Sequence, residues 1–175
     1  MQTHRIHTDD LPHAAKTLRA GDRVLLSGTI YTARDAAHKR LMAMLDNDEP
    51  LPFALKGAVI YYSGATPAPE GLPIGSCGPT TSSRMDPYSP RLYDLGVCAT
   101  VGKGLRSAEV VDAISRNGAV YLCAIGGAGA LAAQCVTSCE VIAFEDLGCE
   151  SIKRMTVCDF PLIVAVDANG NDLFA

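Results

Sequence analysis

Arg23-Val24-Leu25-Leu26-Ser27-Gly28-Thr29-Ile30-Tyr31 runs straight into Thr32-Ala33-Arg34-Asp35-Ala36-Ala37-His38, and this junction decides the fold class. The aliphatic and β-branched run over 23–31 predicts a strand. Thr32 is then placed to cap a helix over Ala33 to Leu45, with Ala37, Leu41 and Met44 as its apolar stripe. Working outward, the same alternation recurs. Ahead of it, Thr8 to Ala20 predicts a short helix, capped by Thr8 or Asp9 and stopped by Gly21. Behind it, Asn47 to Pro52 closes the unit, and Ala58 to Tyr62 predicts a buried strand that empties into a Pro/Gly-rich stretch from Gly64 to Pro79. Leu95 to Val101 predicts another strand, followed by Gly102-Lys103-Gly104. Ser107 then caps a helix through Ile114 that stops near Asn117-Gly118, and Val120 to Ile125 predicts a further strand. The tail changes character. Val136 to Phe144, Ile152 to Val157 and Leu162 to Val166 are β-rich with few helix signals between them, and Asn169-Gly170 is a tight-turn dipeptide. The pattern predicts an α/β fold: a single domain with a mixed sheet.

Composition agrees with one domain over residues 1–175. Apolar residues make up 48% and charged residues 19%, and mean hydropathy is +0.15, which excludes disorder over most of the length. The net charge of −4 gives no field that would attract a polyanion, so nucleic acid is not an expected partner. Seven cysteines form an odd count with no Cys-x-x-Cys pair, against both a disulfide framework and a zinc site. Met1 to Asp10 has no apolar core of a secretory signal, and a reducing cytoplasmic location is expected. Asn117 to Cys139 is uncharged and long enough to span a membrane. Its glycines Gly126, Gly127 and Gly129, with Gln134, Thr137 and Ser138, predict two short buried elements around a turn instead, and no membrane partner.

Cations follow the ends of predicted strands. Arg34 stands after the first, with Asp35 beside it and His38 one helical turn on. An arginine in an exposed first turn is ordinarily just solvated, but loops leaving the carboxyl ends of strands are where α/β domains gather ligands. Arg84 ends the run Thr80-Thr81-Ser82-Ser83, whose hydroxyls are N-cap candidates for a helix or turn. Its guanidinium suits a carboxylate, although Asp86 stands close enough in sequence for a plain ion pair. Lys103 lies between two glycines after a third strand, where a surface turn is the simpler reading. Together, Arg, Arg and Lys in an acidic chain point to a small polyanion such as a dicarboxylate. The loop Gly126-Gly127-Ala128-Gly129 lacks the G-x-G-x-x-G spacing of a dinucleotide site. Cys135 and Cys139 match no common iron–sulfur run and read as buried thiols.

These motifs resemble a known family: the small β subunit, or carboxy-terminal domain, of class I fumarases and L(+)-tartrate dehydratases. The resemblance covers nearly the whole chain. It rests on Ser27-Gly28-Thr29-Ile30 leading to Ala33-Arg34-Asp35-Ala36-Ala37-His38, on Tyr61-Tyr62-Ser63-Gly64, on Gly78-Pro79-Thr80-Thr81-Ser82-Ser83-Arg84-Met85-Asp86, on Gly102-Lys103-Gly104, and on Asp159-Phe160-Pro161 through Asp167. Ser83 departs from the Gly often found there.

The resemblance implies a swivelling β/β/α domain and a hydro-lyase acting on a C4 dicarboxylate, fumarate to malate, with L(+)-tartrate as the alternative. It implies a [4Fe–4S] cluster held by three cysteines of a separate α subunit, with no metal ligand on this chain, and a homodimer of this chain within an α2β2 assembly. Carried over by residue, Arg34 and Arg84 clamp substrate carboxylates, Lys103 adds positive charge, and Thr80 sits where a proton leaves or joins carbon. Asp35, His38 and Asp86 then orient the cations. A different class of function also fits the same cations: a non-catalytic anion-binding or assembly module.

Overall fold

The computed structural model describes every residue except Gly126. Seven strands, β1 (Thr3–His7), β2 (Arg23–Thr32), β3 (Val59–Tyr61), β4 (Ala99–Gly102), β5 (Val120–Cys123), β6 (Val136–Ala143) and β7 (Ile152–Val166), form one sheet in the order β1-β2-β3-β4-β5-β7-β6. β1 through β5 pair in parallel along that order, whereas β7 runs antiparallel to both β5 and β2. Because β7 meets β2 as well as β5, strands β2-β3-β4-β5-β7 close into a five-membered ring. The domain is thus α/β with a mixed sheet closing into a barrel, the arrangement of swivelling β/β/α domains.

Side-chain alternation fills the ring and covers it. Val24, Leu26 and Ile30 of β2, Val59 and Tyr61 of β3, Val101 of β4, Leu122 of β5 and Val157, Leu162 and Val164 of β7 share the interior cluster. Their neighbours Ile60, Tyr62, Tyr121 and Ala165 belong to a second cluster, packed under the helices. Those helices are α2 (Asp35–Asp46), α3 (Ser89–Asp94) and α4 (Ala108–Asn117), which contribute Ala37 and Leu41, Leu92 and Tyr93, and Val110 and Ile114. α1 (Leu11–Ala14) and α5 (Gly129–Gln134) are short.

Several expectations need correction. The predicted helix over Thr8–Ala20 is only the single turn of α1, with turns on either side of it, and β1 precedes it along the edge of β2. Leu95 does not begin a strand. It caps α3, a helix with Pro90 in its first turn, and β4 starts later. Ile152–Val157 and Leu162–Val166 are one strand, carried past its irregularity by Asp159 at φ 49° opposite the bulge at Gly28. Gly28 has φ 114°, and a Cβ there would lie 2.2 Å from Thr8 Oγ1, the atom that accepts from Thr29 N–H. Thr32 does not cap α2. It is buried, donates to the Ser151 carbonyl and accepts from Lys153 N–H, which ties β2 to β7. The α4 reading holds at both ends: Ser107 accepts from Val110 N–H and Gly118 terminates the helix at φ 62°.

Leu26 is fully buried in the ring interior. Leu26→Ala is expected to lower the free energy of unfolding by about 2–5 kcal/mol with an unchanged dependence on denaturant, read by urea titration.

Candidate active site

The parallel run of β2, β3, β4 and β5 sets their carboxyl ends on one rim of the barrel, and the sequence-predicted cations leave from there. Arg34 occupies the N-cap position of α2 with extended backbone, two residues past β2. Ser63 and Gly64 follow β3, and Lys103 follows β4. The segment Gly78–Arg84 crosses between these ends. Ser63 Oγ donates to the Gly78 carbonyl at 2.9 Å, Thr80 N–H donates to the Tyr62 carbonyl at 2.6 Å, and Ser82 N–H donates to the Lys103 carbonyl at 2.9 Å. Thr81 forms a parallel bridge to Lys103. Arg84 emerges from the 3-10 turn Ser82–Met85 that follows. No hydroxyl of the run makes a side-chain cap bond to this turn, so the capping expectation does not hold, and Thr81 is exposed. Ser83 adopts negative φ, so the turn accepts it without needing glycine.

Asp35 binds the two arginines together. Arg84 Nε donates to Asp35 Oδ1 at 2.9 Å, and Arg34 Nη2 lies 3.8 Å from Asp35 Oδ2. Glu150, in the turn Glu145–Glu150 between β6 and β7, approaches Arg34 Nε at 3.6 Å. The latter two contacts are ion pairs too long to be hydrogen bonds, and Arg34 Nε and Asp35 Oδ2 are buried without a hydrogen-bond partner. Arg34 lies across Gly64, where a Cβ would fall 3.0 Å from its Cδ and 3.1 Å from its Nη1. Among the described residues Lys103 has no carboxylate partner, and its side chain is exposed.

His38 is fully buried between Tyr62 and Tyr88. Its Nδ1 donates to the Arg34 carbonyl at 2.8 Å, which leaves Nε2 as a buried acceptor with no partner. Burial, aided by the Arg106 charge, pushes its pKa down to about 4 against the hydrogen bond it donates to the Arg34 carbonyl and the charge of Asp35, so the ring is neutral at neutral pH.

Asp86 does not pair with Arg84. It accepts from Arg106 Nε at 2.7 Å and from Ser107 N–H at 2.8 Å. Arg106, missed in the sequence reading, is buried beneath the rim: it donates to Thr100 Oγ1, Tyr62 OH and Ser89 Oγ and lies over the faces of Tyr62 and Tyr121. Tyr121 OH in turn donates to Ser82 Oγ. The network fixes the floor under the 80–86 segment. Only its place just before Ser107, the α4 cap, hinted at Arg106. Glu150 lay in the β-rich tail, where no local signal marks it.

Other features lie apart from this array. A cleft of about 680 Å³ opens at the opposite rim between Pro12, Lys56 and Gly96 and contains none of the predicted site residues. Among the described residues no three His, Cys, Asp or Glu side chains converge to hold a metal, so the donor set does not fit a cluster bound by this chain alone. Cys77 and Cys98 are buried, Cys135 and Cys139 are partly buried against the ring interior, and Cys149 and Cys158 are exposed. The loop at 126–129 begins outside the described residues, and its Gly129 packs against Gly78. None of the helices among the described residues is long and apolar enough to cross a membrane.

A closed mixed barrel that presents two carboxylate-linked arginines and a lysine at its parallel-strand rim is an α/β domain of the swivelling type. Comparison with known proteins narrows the class: the sequence model of the family described as Fumarase C-terminus matches residues 2–175, and the chain belongs to that family. It is 43% identical over 157 residues to fumarate hydratase 2 of Leishmania major, which covers 89% of this chain and 28% of that protein. It is 44% identical over 154 residues to the aerobic class I fumarate hydratase of Escherichia coli K12, with 87% and 28% covered. The chain thus spans about a quarter of those relatives. A Methanocaldococcus jannaschii protein provisionally named L(+)-tartrate dehydratase subunit beta is 39% identical over 165 residues, with 91% of this chain and 85% of that one covered.

The neutral state of His38 sets a pH dependence. The unfolded chain takes up a proton near the ordinary histidine value of 6.5, whereas the folded ring stays neutral down to about 4. Unfolding therefore binds a proton in this window, and stability must fall as pH drops from 7 to 5, by about 1–2 kcal/mol. Urea titrations at the two pH values read the loss, and His38→Phe is expected to flatten it.

Proposed function

We propose that this chain is the carboxylate-binding component of a class I hydro-lyase that interconverts fumarate and malate, completed by an α-type partner. The observation that carries the reading is Asp35, whose carboxylate draws Arg34, just past β2, and Arg84, in the turn Ser82–Met85, toward one point on the rim. Two guanidinia so arranged suit the two ends of a short dicarboxylate, each gripped by paired N–H donors. Lys103, free of any carboxylate among the described residues, adds charge to the same rim.

In this reading Arg34 and Arg84 bind and orient the substrate, and the Thr80 hydroxyl carries the proton that leaves or joins its carbon. Thr80 is half-buried, and its backbone is fixed at the end of β3. Such a role requires positive charge near the hydroxyl to favour the alkoxide, and the rim cations are the groups proposed to supply it. Asp35 orients both arginines; His38 holds the Arg34 carbonyl; Asp86 acts one layer down, through Arg106. The family resemblance assigns a [4Fe–4S] cluster to the partner, where it supplies Lewis-acid chemistry at substrate oxygens. Leu72, Leu105, Ile125 and Leu131 are exposed on loops and a helix that leave the same end of the barrel, which supports a covering partner. A homodimer of this chain within an α2β2 assembly extends that proposal. The likeness to a tartrate dehydratase β chain over most of its length supports L(+)-tartrate as a second substrate candidate.

The test is co-expression with the cluster-bearing partner, anaerobic purification, and assays with malate, fumarate and tartrate. The assembled pair is expected to turn over one C4 substrate while this chain alone does not. Thr80→Val is expected to lower kcat by about 10²–10⁴-fold with little change in KM, whereas Thr81→Val, at an exposed side chain, stays near wild type. A Thr80→Val enzyme altered only in KM would make Thr80 a binding residue. A pair with no turnover on any C4 acid would leave the anion-binding or assembly module as the better account.

A further inference from the structure

We infer that Glu150 is a positioning residue for Arg34: it holds one edge of the guanidinium and so decides which edge is left for the substrate carboxylate. The inference rests on the dicarboxylate reading above. A guanidinium can meet a carboxylate through its Nη1/Nη2 end or through its Nε/Nη2 side. At Arg34 the side edge faces this chain's own acids, with Glu150 Oε1 3.6 Å from Nε and Asp35 Oδ2 3.8 Å from Nη2. Nη1 packs over Gly64, where a side chain would displace it, and meets no carboxylate among the described residues. The end edge is therefore the one a ligand takes.

Glu150 is the acid suited to this task. Asp35 is already committed to Arg84 through a 2.9 Å hydrogen bond, while Arg34 is the cation that Glu150 pairs with. The turn that carries Glu150 is anchored on both sides. Arg40 of α2 pairs with Asp146 at its start. At its end, Lys153 Nζ donates to the Cys149 carbonyl at 3.0 Å and to Ser151 Oγ at 2.9 Å, and Thr32 Oγ1 donates to the Ser151 carbonyl at 3.3 Å. Cys149 and Ser151 flank Glu150, so its backbone is fixed on either side. Lys153 is itself nearly buried and has no carboxylate partner among the described residues, so its charge is spent on fastening this turn.

The alternative is that Glu150 merely adds negative charge beside a site for a dianion. The two accounts predict opposite signs. If Glu150 acts through the field alone, Glu150→Gln makes the rim more positive and lowers KM for a dicarboxylate. If it positions Arg34, the neutral amide frees the guanidinium to turn, and kcat/KM falls despite the added attraction, by about 10- to 100-fold.

The experiment has two arms. In the assembled enzyme, Glu150→Gln is expected to raise KM and lower kcat/KM, and to add little to the loss already caused by Arg34→Lys, because both act through one side chain. A lowered KM, wild-type kinetics, or losses that add in full would overturn the proposal. In the full chain without turnover, the Arg34 Nε–Hε resonance, assigned from its absence in Arg34→Lys, is expected to shift in Glu150→Gln and to stay in place in Glu145→Gln. An unmoved Arg34 signal in Glu150→Gln would overturn it equally. If the wild-type pair is inactive on C4 acids the substrate reading fails, and the resonance arm still decides whether Glu150 holds Arg34.

Discussion

The pairing of β7 with β2 is the constraint on which everything else depends. Without it, β1 to β5 would be an open parallel sheet with β2 half-unpaired. With it, the ring closes, the interior side chains of five strands become one core, and the carboxyl ends of β2, β3 and β4 are held around a common rim. The chain makes the pairing possible at two irregular points. Gly28 and Asp159 absorb the register shift, and Ser27 Oγ accepts from Asp159 N–H at 2.9 Å to stitch the bulge. Thr32 repeats the stitch at the far end of β2, two residues before Arg34. The strand that closes the barrel is thereby the strand that sets the first cation.

Charge is then distributed in two layers. At the rim, Asp35 meets Arg84 through a 2.9 Å hydrogen bond and Arg34 through a longer ion pair at Nη2, which leaves Nη1 of Arg34 without a carboxylate among the described residues. Below it, Arg106 is fully engaged with Asp86, Thr100, Tyr62 and Ser89 and is sealed by aromatic faces. A buried cation hydrogen-bonded through every guanidinium nitrogen acts as scaffold, whereas one at the rim with an edge left open is available to a ligand. His38 belongs to the lower layer: neutral and buried, it fixes the backbone of Arg34 without adding charge to the rim.

Much of this was legible in the sequence, for definable reasons. Strand-to-helix junctions announce themselves locally, so β2 into α2, the end of β3 and the Ser107 cap were readable, and with them Arg34, Lys103 and the 80–84 segment. β1 was missed because its polar, edge-strand residues carry no buried periodicity, as its alternating exposed and half-buried pattern shows. The continuity of β7 was missed because Asp159 and Pro161 look like a break when the partner strand's bulge is unknown. The pairing of Asp35 with Arg84 and of Asp86 with Arg106 was beyond local reading, since these contacts join residues 49 and 20 positions apart. Glu150 reaches Arg34 only because β7 closes the ring.

The central claim is that two arginines on one rim bind the two ends of a short dicarboxylate. Calorimetric titration of the assembled pair with succinate, an unreactive C4 dicarboxylate, tests it directly when set against butyrate. The account predicts that succinate binds with one site per copy of this chain and far more tightly than butyrate. It also predicts that Arg34→Met and Arg84→Met each erase most of that preference. Equal affinities for the two acids in the wild type, or a preference untouched by both substitutions, would contradict it.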